Sequence, residues 1–175
     1  MIKIRRIQES DLNTRVEWMN NESVYRNMHF TPPISLENTR RWFEKNQTCN
    51  SRIDVVFEEE GIIVAMGGLT NIDNMLRKAE FYIFVNPELH QKGYGKQSTY
   101  LLCKYGFEVL HLHKIFLFAN SDNEGAIKTY EAVGFSLEGR LRDELLRDEK
   151  FADRLYYGLL SSDFLDNEKE LHLLG

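Results

Sequence analysis

The chain has 175 residues, 42% hydrophobic and 28% charged, with a formal charge of −5 at neutral pH. That size suits one domain over residues 1–175 with a substantial core, the composition excludes a disordered chain, and the acidic balance argues against nucleic acid, whose phosphates reward clustered Lys and Arg. The longest nearly unbroken apolar run, Ile62 to Leu69, is too short to span a bilayer, and the charged start MIKIRRIQESD lacks the apolar core of a signal peptide, so a cytoplasmic protein with no membrane partner is expected.

Ile2 to Ile7 alternates apolar with basic residues and reads as a half-buried strand. Ser10 or Asp11 caps a helix through about Asn20, with Leu12, Val16 and Met19 inward. Asn21 to Pro33 reads as an irregular loop ending in a proline pair; its Tyr25, His29 and Phe30 either line a pocket or pack over a sheet. Ser35 caps a second helix through about Asn46 that carries Trp42 and Phe43 inward. Ile53 to Phe57 and Ile62 to Leu69 form a hairpin turning around Glu58 to Gly61, and Asn71 to Arg77 is a polar connection.

The next stretch organises the chain. Ala79 to Val85, rich in β-branched and aromatic residues, reads as a strand halted by Asn86-Pro87. His90, Gln91, Lys92, Gly93, Tyr94 and Gly95 then lead into a helical pattern with Ser98, Leu101, Leu102, Tyr105 and Val109 on one face. The glycines therefore sit at a helix N-terminus, where unpaired N–H groups and the positive end of the dipole favour an anion. Gly93 and Gly95 allow close backbone approach or positive φ, so the turn suits a diphosphate held by successive amides, although the spacing fits neither the dinucleotide fingerprint nor the P-loop. Lys114 to Ala119 is another strand, Asn120 to Asn123 supplies capping residues, and Ala126, Ile127, Tyr130 and Val133 make a second helical stripe closed by Gly134. Phe135 to Leu146 and Phe151 to Leu160 read as a second hairpin turning at Asp148-Glu149, and the last dozen residues as a polar, frayed end. Cys49 and Cys103 read as reduced thiols, and the histidine pair His111 and His113 lies where a helix yields to a strand; no metal site is expected.

HQKGYG followed by Asn123, Ala126, Tyr130, Gly134 and Phe135 in the pattern N-x-x-A-x-x-x-Y-x-x-x-G-F resembles the acetyl-CoA site of the GNAT N-acetyltransferases. AEFYIFVNPE and FSLEGRLRDE are similar to the branch holding ribosomal-protein N-terminal acetyltransferases and spermidine acetyltransferases. The resemblance implies an α/β fold, a central mixed sheet with helices on both faces whose strands Lys78 to Val85 and Lys114 to Ala119 splay apart to admit the pantetheine arm. It implies acetyl-CoA as cosubstrate, an amine-bearing acceptor (protein N-terminus, polyamine, amino sugar or aminoglycoside), and a homodimer as one arrangement seen in relatives. Cofactor contacts are implied at Ile83, Phe84 and Val85, whose amides beside a bulge would bind the thioester oxygen, at His90, Gln91, Lys92, Gly93, Tyr94, Gly95 and Lys96 around the diphosphate, and at Asn123. His90 stands where the family usually has Gln or Arg, which alters one side-chain contact in a loop that binds mostly through its backbone.

A thioester is already activated, so the difficulty lies with the nucleophile: an amine of pKa about 10 is only about 0.1% free base at pH 7, equivalent to roughly 4 kcal/mol. Glu80 is the candidate base, directly or through a water; the alternative is an ion pair with Arg77 or Lys78. Tyr130 is by resemblance the general acid for the departing sulfur, where periodicity alone places it in the core. Cys103, on a helix body with no histidine near in sequence, offers no covalent route, so direct transfer in a ternary complex is expected. The contrasting reading is an acyl-CoA-binding sensor that transfers nothing.

Overall fold

The computed structural model describes residues 1–164. The expected frayed end lies outside them except for Phe164, which is buried with its ring 5.3 Å from Tyr100 and 5.2 Å from Phe107. Strand β1 (Lys3–Arg6) leads through a 3-10 turn into helices α1 (Leu12–Met19), α2 (Glu22–Tyr25) and α3 (Leu36–Asn46). The hairpin β2 (Ile53–Glu59) and β3 (Ile62–Asp73) follows, then β4 (Lys78–Val85), α4 (Tyr94–Glu108), β5 (Lys114–Asn120) and α5 (Glu124–Val133), and finally β6 (Ser136–Arg147) and β7 (Lys150–Leu160). The turns between β2 and β3 and between β6 and β7 place Glu60-Gly61 and Asp148-Glu149 at positive φ, which suits tight hairpins and agrees with the expected turns.

The seven strands lie in the order β1-β2-β3-β4-β5-β7-β6, and only β4 and β5 run parallel. That parallel pair is short: Lys78 opposes Lys114, Ala79 opposes Ile115 and Glu80 opposes Phe116, and no further pairing follows. Beyond Glu80, β4 stays on β3 as far as Val85 opposite Ala65, and β5 stays on β7 as far as Asn120 opposite Arg154. Each strand follows its antiparallel neighbour, so the sheet opens into a fork with Glu80 at its apex. This is the expected splay.

Pleating along β4 sends Ala79, Phe81, Ile83 and Val85 into the core under α4 and α5, and Tyr82 and Phe84 into a second cluster with Trp18 of α1 and Val24 of α2. Helices thus cover both faces. α4 buries Ser98, Thr99, Leu102, Cys103, Gly106 and Phe107. The expected stripe member Val109 is exposed, because the helix stops at Glu108 and Leu112 turns back to fill the core instead. Gly106 lets the helix lie directly on the sheet: a Cβ there would sit 2.8 Å from Cδ1 of Ile115 and 3.1 Å from Cδ1 of Leu69.

The N-terminal helices depart further from expectation. Asp11 does not cap α1; its carboxylate accepts bonds from Arg5 at 2.7 and 2.8 Å and from the Gln8 amide at 2.7 Å, tying β1 to the helix entry. α1 buries Leu12, Arg15 and Trp18 rather than Val16 and Met19. Arg15 is tolerated inside because its guanidinium lies 4.4 Å from the Trp42 ring, 5.3 Å from Phe84 and 5.8 Å from Tyr82, a face-on aromatic environment for a cation. Trp42 is accordingly half-buried, serving as a plate for Arg15 and Arg52. The loop expected from Asn21 to Pro33 contains the single turn α2, capped by the Asn21 side chain at 3.0 Å from the Ser23 amide. No helix of the described residues is long and apolar enough to cross a membrane.

Candidate active site

The open side of the fork borders a cavity of about 580 Å³. One wall is β4 itself: consecutive residues Ile83, Phe84 and Val85 all contribute, as they must where a cavity reaches a strand edge rather than one face. The bulge expected there is absent. β4 keeps regular register with β3 to its end, and Asn86 extends the pairing through its amide to Val64 and its side chain to Ile63 before Pro87 stops the strand. The register shift falls instead between Thr70 and Asp73 of β3.

The second wall is the start of α4. Gly93 holds φ of 82°, a left-handed conformation that a side chain would strain, and so turns the chain into the helix. The amide of Gln97 bonds the Gly93 carbonyl at 3.2 Å, which leaves the Tyr94, Gly95 and Lys96 amides as the unpaired first turn facing the cavity. Gly95 needs no unusual dihedral; a Cβ there would make ordinary contact 3.5 Å from Val85 Cγ2. The turn is fixed from behind by Tyr94, whose hydroxyl donates to Glu59 at 3.0 Å. His90, Gln91, Gly93, Tyr94, Gly95 and Lys96 border the cavity as anticipated, whereas Lys92 is exposed and does not.

The third wall is α5 with its cap Asn123; Ala126 and then Thr129 and Tyr130 follow at successive turns. Asn123 caps its helix, its Oδ1 accepting from the Ala126 amide at 3.3 Å, so any contact to a ligand falls to its NH₂ group. Tyr130 is half-buried, packed edge-on to Phe81 of β4 with centroids 5.9 Å apart and against Phe135 at 6.0 Å. Burial, with a smaller effect from the Cys103 thiol, pushes its hydroxyl up to about 12, so it is protonated throughout the physiological range. Cys103 is itself fully buried and pushed up by the same dryness, which removes it as a nucleophile.

Glu80 does not line this cavity. By pleating it points to the opposite face of the sheet from Phe81 and Tyr130, at the apex of the fork, so strand β4 itself separates the two groups. Its partner is neither Arg77 nor Lys78: Oε2 accepts from Asn71 Nδ2 at 2.8 Å. Asn71 sits at the β3 irregularity with φ of 49°, a conformation Asn tolerates, and that twist aims its amide across to β4. Sequence reasoning missed this contact, since nothing in an Asn beginning a polar connection marks it.

The fourth wall also differed from expectation. It comes from Ser23, Val24, Arg26, Asn27 and Met28 of α2 and the residues after it, not from the aromatic Tyr25, His29 and Phe30 singled out earlier; Phe30 packs in the second cluster, as its alternative reading held. Glu17 and Asn21 border a separate polar cavity of about 300 Å³ with Thr14, Asn86 and Glu88. Among the described residues no three His, Cys, Asp or Glu side chains group as metal ligands.

Comparison with known proteins gives the same answer. Residues 2–136 match the acetyltransferase (GNAT) domain. The chain is similar to spermidine N(1)-acetyltransferase of Escherichia coli K12, 29% identical over 168 residues that cover 96% of this chain and 90% of that protein. It is also similar to YdaF of Bacillus subtilis, a ribosomal N-acetyltransferase by name, at 32% over 105 residues, 60% of this chain and 57% of the relative. The crystal structure of spermidine N-acetyltransferase from Vibrio cholerae in complex with CoA and spermine superposes with a TM-score of 0.90 at 27% identity, covering 94% of this chain and 98% of the other. The chain belongs to the GNAT acetyltransferase family and is an acetyl-CoA-dependent N-acetyltransferase.

Proposed function

We propose that the chain transfers acetyl from acetyl-CoA to a primary amine by direct attack in a ternary complex, with Glu80 and Tyr130 on opposite sides of the open fork. The observation that carries this reading is the three-residue parallel pairing of β4 and β5, which leaves β4 from Phe81 to Val85 with an unpaired edge beside an apolar cavity. An extended pantetheine arm pairs with such an edge as an added strand would, its diphosphate meeting the amides of Tyr94, Gly95 and Lys96 and its thioester lying at the apex. Because the Asn86 amide pairs with Val64 of β3, alternation along the strand turns the Phe84 amide to β3 as well and leaves those of Ile83 and Val85 on the open edge. One of these two receives the thioester oxygen as it becomes an oxyanion, while the Asn123 amide group contacts the cofactor.

The acceptor approaches from the other face, where Glu80 takes the ammonium proton directly or through a water while Asn71 holds the carboxylate in place. Nitrogen attacks the thioester carbonyl and releases its second proton to water, the carbon–sulfur bond breaks, and Tyr130 passes its proton to the sulfur and is reprotonated from solvent. A phenol held near 12 is a weak acid in water, but the departing thiolate sits in the same dry surroundings that raise Cys103, so its own basicity rises too. A protein N-terminus, a polyamine and an amino sugar all present the required amine. The relatives' names point to the first two. No feature of the site favours a sensor that binds acyl-CoA without transfer. Thiol release from acetyl-CoA, measured across amines of these classes, tests the reading: release with at least one class is expected, and acetyl-CoA binding with no release from any amine would refute it.

A further inference from the structure

The acceptor side of the fork has a composition that narrows the acceptor further, taking the fork as the transfer site. On the face that Glu80 presents, Phe116 and Phe118 of β5 and Tyr156 of β7 form an aromatic floor, with Tyr156 5.4 Å from Phe116 and 5.2 Å from Phe118 between centroids. Cations lie on that floor: Lys78 5.8 Å from the Phe116 ring, Lys114 5.3 Å from Tyr156, and the Arg154 guanidinium 4.3 Å from Phe118. Lys114 is paired with Glu138. Arg154 has no salt bridge and no hydrogen bond from its side chain among the described residues, and its Nε is buried without a partner. A guanidinium carries five donors in a fork that matches a carboxylate or a phosphate, and stacking on Phe118 satisfies none of them.

We infer that the acceptor carries an anionic group, carboxylate or phosphate, in addition to its amine, and that Arg154 receives it. Glu80 and Glu144 act on Arg154 only through space, and the burial that lowers its pKa shows a charge less solvated than an exposed arginine's. The positive field extends to His29 on the loop after α2, held below its usual value by partial desolvation and then by Arg154 and Arg147. Three acidic side chains are paired with other arginines, Glu37 with Arg41, Asp54 with Arg52 and Asp153 with Arg140, and so leave Arg154 without them. The spacing is set by the strand. Glu80 lies opposite Phe116 and Arg154 over Phe118, two residues along β5, so amine and anion should be about 7 Å apart.

The test is thiol release by the full chain with matched amines: glucosamine 6-phosphate against glucosamine, γ-aminobutyrate against its amide, and spermidine as the polycation. The anionic member of at least one pair should exceed its neutral partner in kcat/KM by about ten- to a hundredfold, the worth of one charge-assisted contact, and the pair that responds identifies phosphate or carboxylate. Arg154→Gln should erase that preference through KM, read as the ratio between the two members of a pair because losing a cation near Glu80 affects both members alike, and Arg154→Lys should restore part of it. Equal rates within both pairs, a preference for spermidine over every anionic amine, or a preference that survives Arg154→Gln would overturn the inference and leave the transferase standing. Absence of release with any amine would overturn both.

Discussion

The two sides of the fork are made of different materials. On the side of α4 and α5 the cavity presents main chain at a strand edge, at a helix start at Gly93 and at the turn that the Asn123 side chain caps, with Arg26, His90, Gln91 and Lys96 also on its border. On the other side the surface is built from side chains, an aromatic floor with Lys78, Lys114 and Arg154 laid on it and Glu80 held by Asn71. A ligand read by the backbone is tolerant of sequence, whereas one read by side chains is redefined by a few substitutions. On the proposed assignment of cosubstrate and acceptor to the two sides, that difference lets one fold keep a cosubstrate while its acceptor changes.

Tyr130 sharpens the comparison most, because it is the one side chain of the backbone-built side asked to do chemistry. Tyr130→Phe should lower kcat by about a hundredfold to ten-thousandfold with CoA affinity nearly unchanged, since only the hydroxyl is lost and the ring still packs on Phe81 and Phe135. Steady-state thiol release together with calorimetric CoA binding separates the two effects, and an unaltered kcat would return Tyr130 to the core. On the opposite side, Glu80→Gln should reduce kcat/KM near neutral pH by about a hundredfold. Its deficit should shrink as pH rises toward the amine's own pKa of about 10, because free base then forms without help. A deficit independent of pH would mean that Glu80 orients the acceptor rather than deprotonating it. Tyr130, pushed up to about 12, stays protonated over that window, so the pH profile reports the amine rather than the acid.

The backbone-built side was legible in the sequence and the other largely was not, for a physical reason. Gly93 after the Asn86-Pro87 breaker, the stripe Ala126, Ile127 and Tyr130, and the closing Gly134 are consequences of local dihedral and helical rules, so spacing along the chain carries them. The splay of β4 from β5 and the roles of Tyr130 and Glu80 came from resemblance rather than from pattern. Asn71 and Arg154 depend on which strands end up adjacent and on where register slips, at the shift between Thr70 and Asp73 and at the pairing of Asn120 with Arg154. No local rule reports that. The same limit misplaced the inward face of α1: a buried Arg15 violates hydrophobic patterning and makes sense only once Trp42 of α3 and Tyr82 and Phe84 of β4 converge on it.

The smallest expected effects probe the backbone claim directly, by contrasting two positions three residues apart on the turn proposed to hold the diphosphate. Gly93 holds φ of 82° at the entry to α4, where a β-branched side chain is strained by about 1–2 kcal/mol. If the strain falls on the turn, Gly93→Val should weaken CoA by about tenfold, with little change in the kcat of the enzyme once saturated. His90 also borders the cavity, but it is exposed, with an ordinary extended backbone of φ −59° and ψ 151°. His90→Ala should therefore change CoA affinity by no more than about threefold, the range of a screened surface contact. Calorimetric titration of CoA into both variants distinguishes the materials. A loss at His90 as large as that at Gly93 would mean the diphosphate is held by side chains after all, and the tolerance of this side of the fork to sequence would need another cause.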